Sequence, residues 1–194
     1  MGLTLYLDPQ EYLDRYVGYQ LKPDEDPDAD WRMDVIAGST CCPPLINQYL
    51  SADNDGMDML HADGTVAGFL CYPLDGFEGE DRSQKIFDFR DKLEETLLEQ
   101  AGDDALTLIG GATGIYTGYV DFFAWDLHAV LNTAAEFFQE SDLSWASFHV
   151  FRREVGTIRL VDKTEDDSDS GPAVHEDTGS LLSQKDIDTM DSVT

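Results

Sequence analysis

The sequence predicts an α+β fold, a two-layer sandwich in which helices lie mainly on one face of a mixed or antiparallel sheet. Two long stretches with helical periodicity, residues 83–100 and 127–140, alternate with short β-patterned stretches. From residue 83 to 161 the predicted order is helix, strand, strand, helix, strand, strand, which fits two packed layers. A composition of 42% hydrophobic and 11% aromatic residues is typical of a globular protein.

The chain begins with a predicted strand and helix. After the candidate strand at residues 3–7, Asp8 and Pro9 indicate a helix start, because aspartate accepts bonds from free amides and proline suits the first helical position. The spacing of apolar residues extends this helix to about Tyr19. Residues 23–30 contain two prolines and five acidic residues, so we expect an exposed loop there.

The middle of the chain is predicted from weaker local signals. We expect, in order, a strand entry, a loop broken by prolines, and one or two helical turns at residues 31–36, 37–44 and 45–50. The Asp63-Gly64 pair is the strongest short turn signal in the chain and predicts a β-hairpin over residues 57–72.

The second half carries most of the dense apolar pattern. We predict the long helix at 83–100, a buried strand at 106–109 and a glycine turn at 110–114. After these come a strand at 115–123, a helix at 127–140 capped by Asp126, and a hairpin formed by 145–151 and 157–161.

The domain prediction divides the chain at residue 161. Residues 1–161 are expected to form a single globular α+β domain. Residues 162–194 hold ten acidic and two basic residues and no aromatic residue, so we expect an acidic, disordered C-terminal tail.

The charge is the most unusual property of the chain. Forty acidic residues, of which 28 are aspartate, oppose twelve basic residues and leave a net charge of −28. Nucleic-acid and anionic membrane surfaces require clustered Lys and Arg, so neither is an expected partner. A charge of this size keeps a protein soluble and steers cationic partners towards it. Adaptation to a high-salt cell interior, or a need for solubility alone, would also produce such a charge.

Three acidic loops, at residues 24–30, 51–58 and 75–81, are the predicted binding surface for a basic protein partner. The candidate partner-binding residues are Asp24, Asp26, Asp28, Asp30, Asp53, Asp55 and Asp58. The alternation in the first loop is similar to that of calcium ligands. However, Ala29 and Val35 stand where a calcium loop needs glycine and glutamate, so we predict no metal site.

A weaker candidate site lies near Asp121, His149 and Arg152. Asp121 interrupts an otherwise apolar strand, where a carboxylate either faces water or is buried with a raised pKa and a role. Arg152, Arg153 and Arg159 near His149 form either an anion site or, in the interpretation we favour, internal counter-charges for an acidic body. The glycine cluster is followed by a strand rather than a helix, so it does not predict a phosphate-binding loop or a cofactor.

The three cysteines, Cys41, Cys42 and Cys71, form no Cys-x-x-Cys pair and indicate reduced thiols. The first residues lack a signal-peptide pattern, and no apolar run has the length of a membrane span, so we expect a cytoplasmic protein. The sequence favours a non-enzymatic antagonist of a basic partner, similar in kind to an immunity protein or a mimic of DNA charge. An enzyme or small-ligand-binding domain with its site near Asp121, and a housekeeping domain of a salt-adapted cell, are the alternatives.

Overall fold

A computed structural model of the protein describes residues 15–102 and 104–163, which form a seven-stranded sheet and four helices. The strands are β1 (Val17–Gln20), β2 (Val35–Thr40), β3 (Val66–Pro73), β4 (Leu106–Gly114), β5 (Thr117–Ala124), β6 (Trp145–Val150) and β7 (Ile158–Asp162). The helices are α1 (Pro43–Ser51), α2 (Asp55–Ala62), α3 (Arg82–Thr96), which continues as a π-helical turn over Leu97–Ala101, and α4 (Leu127–Glu140). The predicted acidic tail lies outside the described residues, apart from its first two positions.

The sheet has the strand order β1-β2-β4-β5-β3-β6-β7, and every neighbouring pair is antiparallel. Of the two predicted arrangements, mixed or antiparallel, the antiparallel one is therefore present, and the α+β prediction is confirmed. β3 lies between β5 and β6, and its side chains are buried on both faces of the sheet. Consistent with that position, its sequence is a continuous apolar run rather than an alternating one.

Helices cover both faces of the sheet, with the two long ones on one face. Along β3, Leu70 and Tyr72 belong to the core beneath α3 and α4. The alternate residues Phe69 and Cys71 belong to a second core beneath the shorter α1 and α2. This alternation follows from the two-residue repeat of a strand.

The predictions with the strongest periodicity are confirmed. α4 spans the predicted range, and the Asp126 carboxylate caps it by accepting a hydrogen bond from the amide of Ala129 at 3.0 Å. α3 and its π-helical turn together cover the helix predicted at 83–100. The helix ends at Gly102, which has a φ of 96°. β6 and β7 form the predicted hairpin.

Two predictions in the first half are wrong. The helix predicted to end near Tyr19 is wrong at that end, because Val17–Gln20 is a strand paired with β2. Residues 9–14, where that helix was predicted to begin, lie outside the described residues. The Asp63-Gly64 pair does not join two strands. It ends α2 and leads into β3, and Gly64 has a φ of 78°. The Asp-Gly pair therefore indicates a tight turn correctly, but it does not indicate whether a strand or a helix precedes that turn.

The predicted glycine turn at 110–114 is also wrong, because β4 continues through it to Gly114. The register with β5 shifts between Leu108 and Gly110, where Gly110 adopts a φ of 147°. A Cβ at Gly110 would lie 2.1 Å from the carbonyl oxygen of Ser39 on β2. The glycines thus allow a bulge and a close approach between strands. A glycine cluster in a turn has the same sequence pattern, so the sequence alone does not distinguish the two structures.

The predicted loop at 37–44 is replaced by regular structure. β2 extends to Thr40, and Pro43 begins α1. Gly38 lies within β2, and its lack of a side chain leaves room for the Tyr19 side chain, whose atoms lie 2.6 Å from where a Cβ would stand. Proline at the first helical position loses no hydrogen bond, so the Pro43-Pro44 pair starts a helix instead of preventing one.

Candidate functional site

The predicted partner-binding carboxylates are all exposed, and several are held by local hydrogen bonds. The Asp24 carboxylate accepts the amide of Asp26, and that of Asp26 accepts the amide of Asp28, each at 3.0 Å. The Asp53 carboxylate accepts the amide of Asp55 in the same way at 3.0 Å. Such turns use one carboxylate oxygen to fix the backbone and leave the other towards water.

Two neighbouring arginines connect the first two acidic loops. The segment at 51–58 was predicted as a loop, but it contains the end of α1 and the first turn of α2, where Asp55 and Asp58 lie; it keeps the name acidic loop below. Arg152 pairs with Asp58 and Arg153 pairs with Asp30, so the short segment after β6 lies between the loops at 24–30 and 51–58. The structure therefore brings together acidic residues that are far apart in the sequence. Arg152 and Arg153 were candidates for anion binding, and each of them forms an ion pair with a carboxylate of this chain.

The third candidate anion-binding residue, Arg159, lies on β7. Its guanidinium stacks over the Trp145 ring at 5.3 Å, and its Nε is 3.7 Å from a carboxylate oxygen of Asp162. The three arginines therefore lie in three separate ion pairs, and the anion-site hypothesis stays a prediction.

The third acidic loop, at residues 75–81, lies beside the turn between β4 and β5. The carbonyl of Tyr116 in that turn accepts the amide of Leu74 at 2.8 Å, and its hydroxyl donates to the carbonyl of Glu25 at 2.9 Å. Tyr116 thus bonds both to the loop at 24–30 and to Leu74, the residue that precedes the loop at 75–81.

Most of the basic side chains whose contacts are described form ion pairs or hydrogen bonds with other groups of this chain. Lys163 donates to three carbonyl groups at the end of α4, those of Phe138, Gln139 and Ser141. Arg82 donates to backbone carbonyls. Within residues 15–102 and 104–163, the carboxylates without an ion pair include Asp24, Asp26, Asp28, Asp53 and Asp55. The acidic loops therefore keep most of their negative charge.

Asp121 on β5 is buried and paired with Arg32, a residue that the sequence analysis did not single out. Two nitrogens of the Arg32 guanidinium donate to the Asp121 oxygens at 2.5 and 3.2 Å, and both side chains are almost fully inaccessible. Burial raises the pKa of Asp121, and Arg32 opposes that effect. Arg32 also lies 5.1–5.2 Å from the centres of the Phe69, Tyr119 and Phe151 rings. The pair is enclosed by aromatic side chains.

A second buried carboxylate, Asp34, extends this network. The Tyr119 hydroxyl accepts the amide of Arg32 at 2.9 Å and donates to Asp34 at 2.6 Å. The other oxygen of Asp34 accepts the amides of Tyr116 and Thr117 at 3.1 and 3.0 Å. Burial, with Asp34 beside it, raises the pKa of Tyr119. These bonds attach the segment after the first acidic loop to β5.

His149 lies on the same face of the sheet as Asp121, with β3 between them. Phe69 on β3 is in register with both, and the His149 ring stacks on Phe69 at 5.3 Å with an interplanar angle of 19°. His149 is 2% exposed, and its Nδ1 lies against the carbonyl oxygen of Val150. Arg152 lies beyond the end of β6, on Asp58. Asp121 and His149 are therefore neighbours across a packed aromatic ring, and Arg152 contacts an acidic loop instead.

The described residues include no cluster of three or more His, Cys, Asp or Glu side chains placed to hold a metal ion. Nor does this part of the chain contain a helix with the length and apolarity to cross a membrane. Comparison with protein-family models, curated proteins and solved structures finds no match to this chain.

Proposed function

We propose that this protein is an acidic, cytoplasmic, non-enzymatic binding protein that antagonises a basic protein partner, in the manner of an immunity protein or a mimic of DNA charge. The observation that carries the proposal is the set of exposed, locally ordered carboxylates at 24–30 and 51–58, most of which have no cation beside them among the described residues. Complementary charge raises association rates and selects among partners.

The arrangement of the cations supports this proposal. Arg152 and Arg153 hold the two loops together through Asp58 and Asp30 and leave the remaining carboxylates of each loop in water. A partner with Lys and Arg side chains would supply the missing cations. Because the carboxylates are already oriented by backbone hydrogen bonds, binding would order few additional groups.

The alternative site near Asp121, His149 and Arg152 has less support. Asp121 is fully buried and its oxygens are bonded to Arg32, while His149 is packed between aromatic rings. A substrate would have to displace these contacts to reach either side chain.

Affinity capture with the purified full chain tests the proposal. A lysate of the cells that make the protein is applied at low salt and at about 1 M salt, where the screening length falls to roughly 3 Å. We expect a basic protein to be retained in stoichiometric amount at low salt and released at high salt. Retention of no basic protein at low salt would contradict the proposal.

A further inference from the structure

A groove of about 430 Å³ separates α3 from strands β2 and β4. Its apolar wall includes Ile36 on β2 and Ile86 and Phe87 on α3; Ile36 is 47% and Phe87 is 50% exposed. Pockets that bind small molecules have volumes in the range of roughly 300–1,000 Å³ and are lined mainly by apolar side chains. The groove has that size and character, and no described residue covers it.

The same groove is lined by two arginines, Arg82 and Arg90. Arg90 donates to the carbonyl of Ala112 at 2.9 Å and to the hydroxyl of Thr113 at 2.8 Å, and both acceptors are neutral. Arg82 donates only to backbone carbonyls among its described partners. Neither arginine forms an ion pair with a carboxylate of residues 15–102 or 104–163.

The unpaired state of these arginines is unusual in this chain. Forty acidic residues are available against twelve basic ones. Four other arginines do form ion pairs with aspartates, namely Arg32, Arg152, Arg153 and Arg159. Glu94, one helical turn beyond Arg90 on α3, forms no ion pair with it. The groove therefore combines an apolar wall with two arginines that form no direct ion pair among the described residues.

We propose that this groove binds a small amphiphile, an aliphatic chain with a terminal carboxylate. The chain would lie along Ile36, Ile86 and Phe87, and the carboxylate would accept hydrogen bonds from Arg90. A guanidinium and a carboxylate form strong charge-assisted hydrogen bonds, and partial burial strengthens them. A single negative charge is opposed little by the acidic surface, whereas a large acidic partner would be repelled by it. This site is separate from the acidic loops that carry the proposed function.

Calorimetric titration of the full chain with decanoate tests the proposal. We expect saturable binding at one site. Arg90→Gln should weaken that binding by about tenfold or more, the effect of losing a charge-assisted contact. Arg159→Gln, which removes the same charge outside the groove, is the matched control and should leave the affinity unchanged. Decanol, which has the chain without the carboxylate, should bind more weakly than decanoate.

A second variant keeps the test decisive if Arg90→Gln loosens the contact between α3 and β4. Ile36→Glu adds an opposing charge to the wall of the groove at a half-exposed position and should abolish decanoate binding. In NMR spectra of the wild-type protein, decanoate should shift the amide signals of residues 36–39, 86–90 and 113–114. The proposal is overturned if decanoate does not bind saturably, if decanol binds equally well, or if the affinity is the same in the Arg90 and Arg159 variants.

Discussion

Arg32 and Asp121 form the central polar contact of the core. The sequence identified Asp121 as a carboxylate out of place in an apolar strand, and the structure shows it fully buried. Arg32 was not found, because 89 residues separate the two and no local pattern marks a pair. Arg32 also adopts a φ of 70°, a backbone conformation that non-glycine residues rarely take. The ion pair and the surrounding rings hold it there.

Removing the charge of Asp121 should destabilise the protein strongly. Asp121→Asn leaves the buried Arg32 guanidinium without a counter-charge, and we expect a loss of about 3–5 kcal/mol in the free energy of unfolding. Denaturant unfolding monitored by circular dichroism measures this loss. Asp81→Asn removes the exposed partner of Lys85 and serves as the control, with almost no expected effect. Equal stability of the two variants would contradict a structural role for the buried pair.

Glu94 should make stability depend on pH. Burial raises its pKa from an ordinary value of 4.5 to about 7, with Arg90 lowering it and Asp91 raising it further. Between these two values the folded protein binds a proton that the unfolded chain has lost. The Glu94 contribution to the free energy of unfolding is therefore complete below pH 4.5 and is lost as the pH rises through about 7.

Glu94→Gln removes this titration. The variant should match the wild type in stability at about pH 4 and exceed it at about pH 8, because only the wild type then carries a partly buried negative charge. Unfolding curves recorded across this pH range check the expectation. Glu95→Gln changes the exposed neighbour and should show no such trend. A difference between Glu94→Gln and the wild type that stays constant with pH would rule out the proposed titration.

At the scale of elements, the glycine-rich part of β4 shows most clearly where local reasoning fails. The sequence predicts a turn at 110–114, yet the chain continues as a strand with a bulge at Gly110. Space around each glycine depends on distant residues: the Asp34 carboxylate would lie 2.1 Å from a Cβ at Gly114. Such contacts between residues far apart in the sequence cannot be recognised from the residues next to each glycine.

Adding a side chain at Gly110 should disrupt the pairing of β2 with β4. Gly110→Ala places a methyl group 2.1 Å from the Ser39 carbonyl oxygen at a φ of 147°, and backbone atoms cannot move away easily. We expect a loss of about 3 kcal/mol in the free energy of unfolding. Gly156→Ala, at a position with nothing within 4 Å of the added methyl group, is the control and should change it by less than about 0.5 kcal/mol. A Gly110 variant as stable as the Gly156 variant would contradict the strand register.

The elements with long, amphipathic patterns could be predicted from the sequence. α3 and α4 bury one stripe, and Asp126 marks the start of α4 by a local hydrogen bond. β1 and α2 could not be predicted with the same reasoning. β1 is a four-residue edge strand whose side chains are largely exposed, so tertiary pairing with β2 determines its conformation more than any periodicity.

At the scale of the whole molecule, the charged residues fall into two groups: those that form ion pairs within the protein, and carboxylates that face solvent and that we propose to bind a partner. Arg152 and Arg153 hold two acidic loops beside one another, and the remaining carboxylates of these loops point to solvent. The sequence predicted that these aspartates are exposed, and at 24–30 the reason holds, since a loop rich in Asp and Pro cannot pack. At 51–58 the aspartates are exposed, but Asp55 and Asp58 lie on α2 and not in a loop. The sequence did not predict that the loops at 24–30 and 51–58 both form ion pairs with the segment that holds Arg152 and Arg153. Only the fold brings that segment between the two loops.

The most direct test of the acidic-surface proposal compares two variants with equal loss of charge. The loop variant changes Asp24, Asp26, Asp28, Asp53 and Asp55 to Asn, which keeps the oxygen that accepts the local amide bonds. The helix variant changes five exposed acids on α3, its π-helical turn and α4 to the matching amides, namely Asp91, Glu95, Glu99, Glu136 and Glu140. The dissociation constant of each for the captured basic protein is measured at low salt.

If the loops form the binding surface, the loop variant should bind at least about a hundredfold more weakly than the wild type, and the helix variant should stay within about threefold of it. Equal weakening of both variants would contradict the account, because affinity would then depend on net charge alone and not on the carboxylates of the acidic loops.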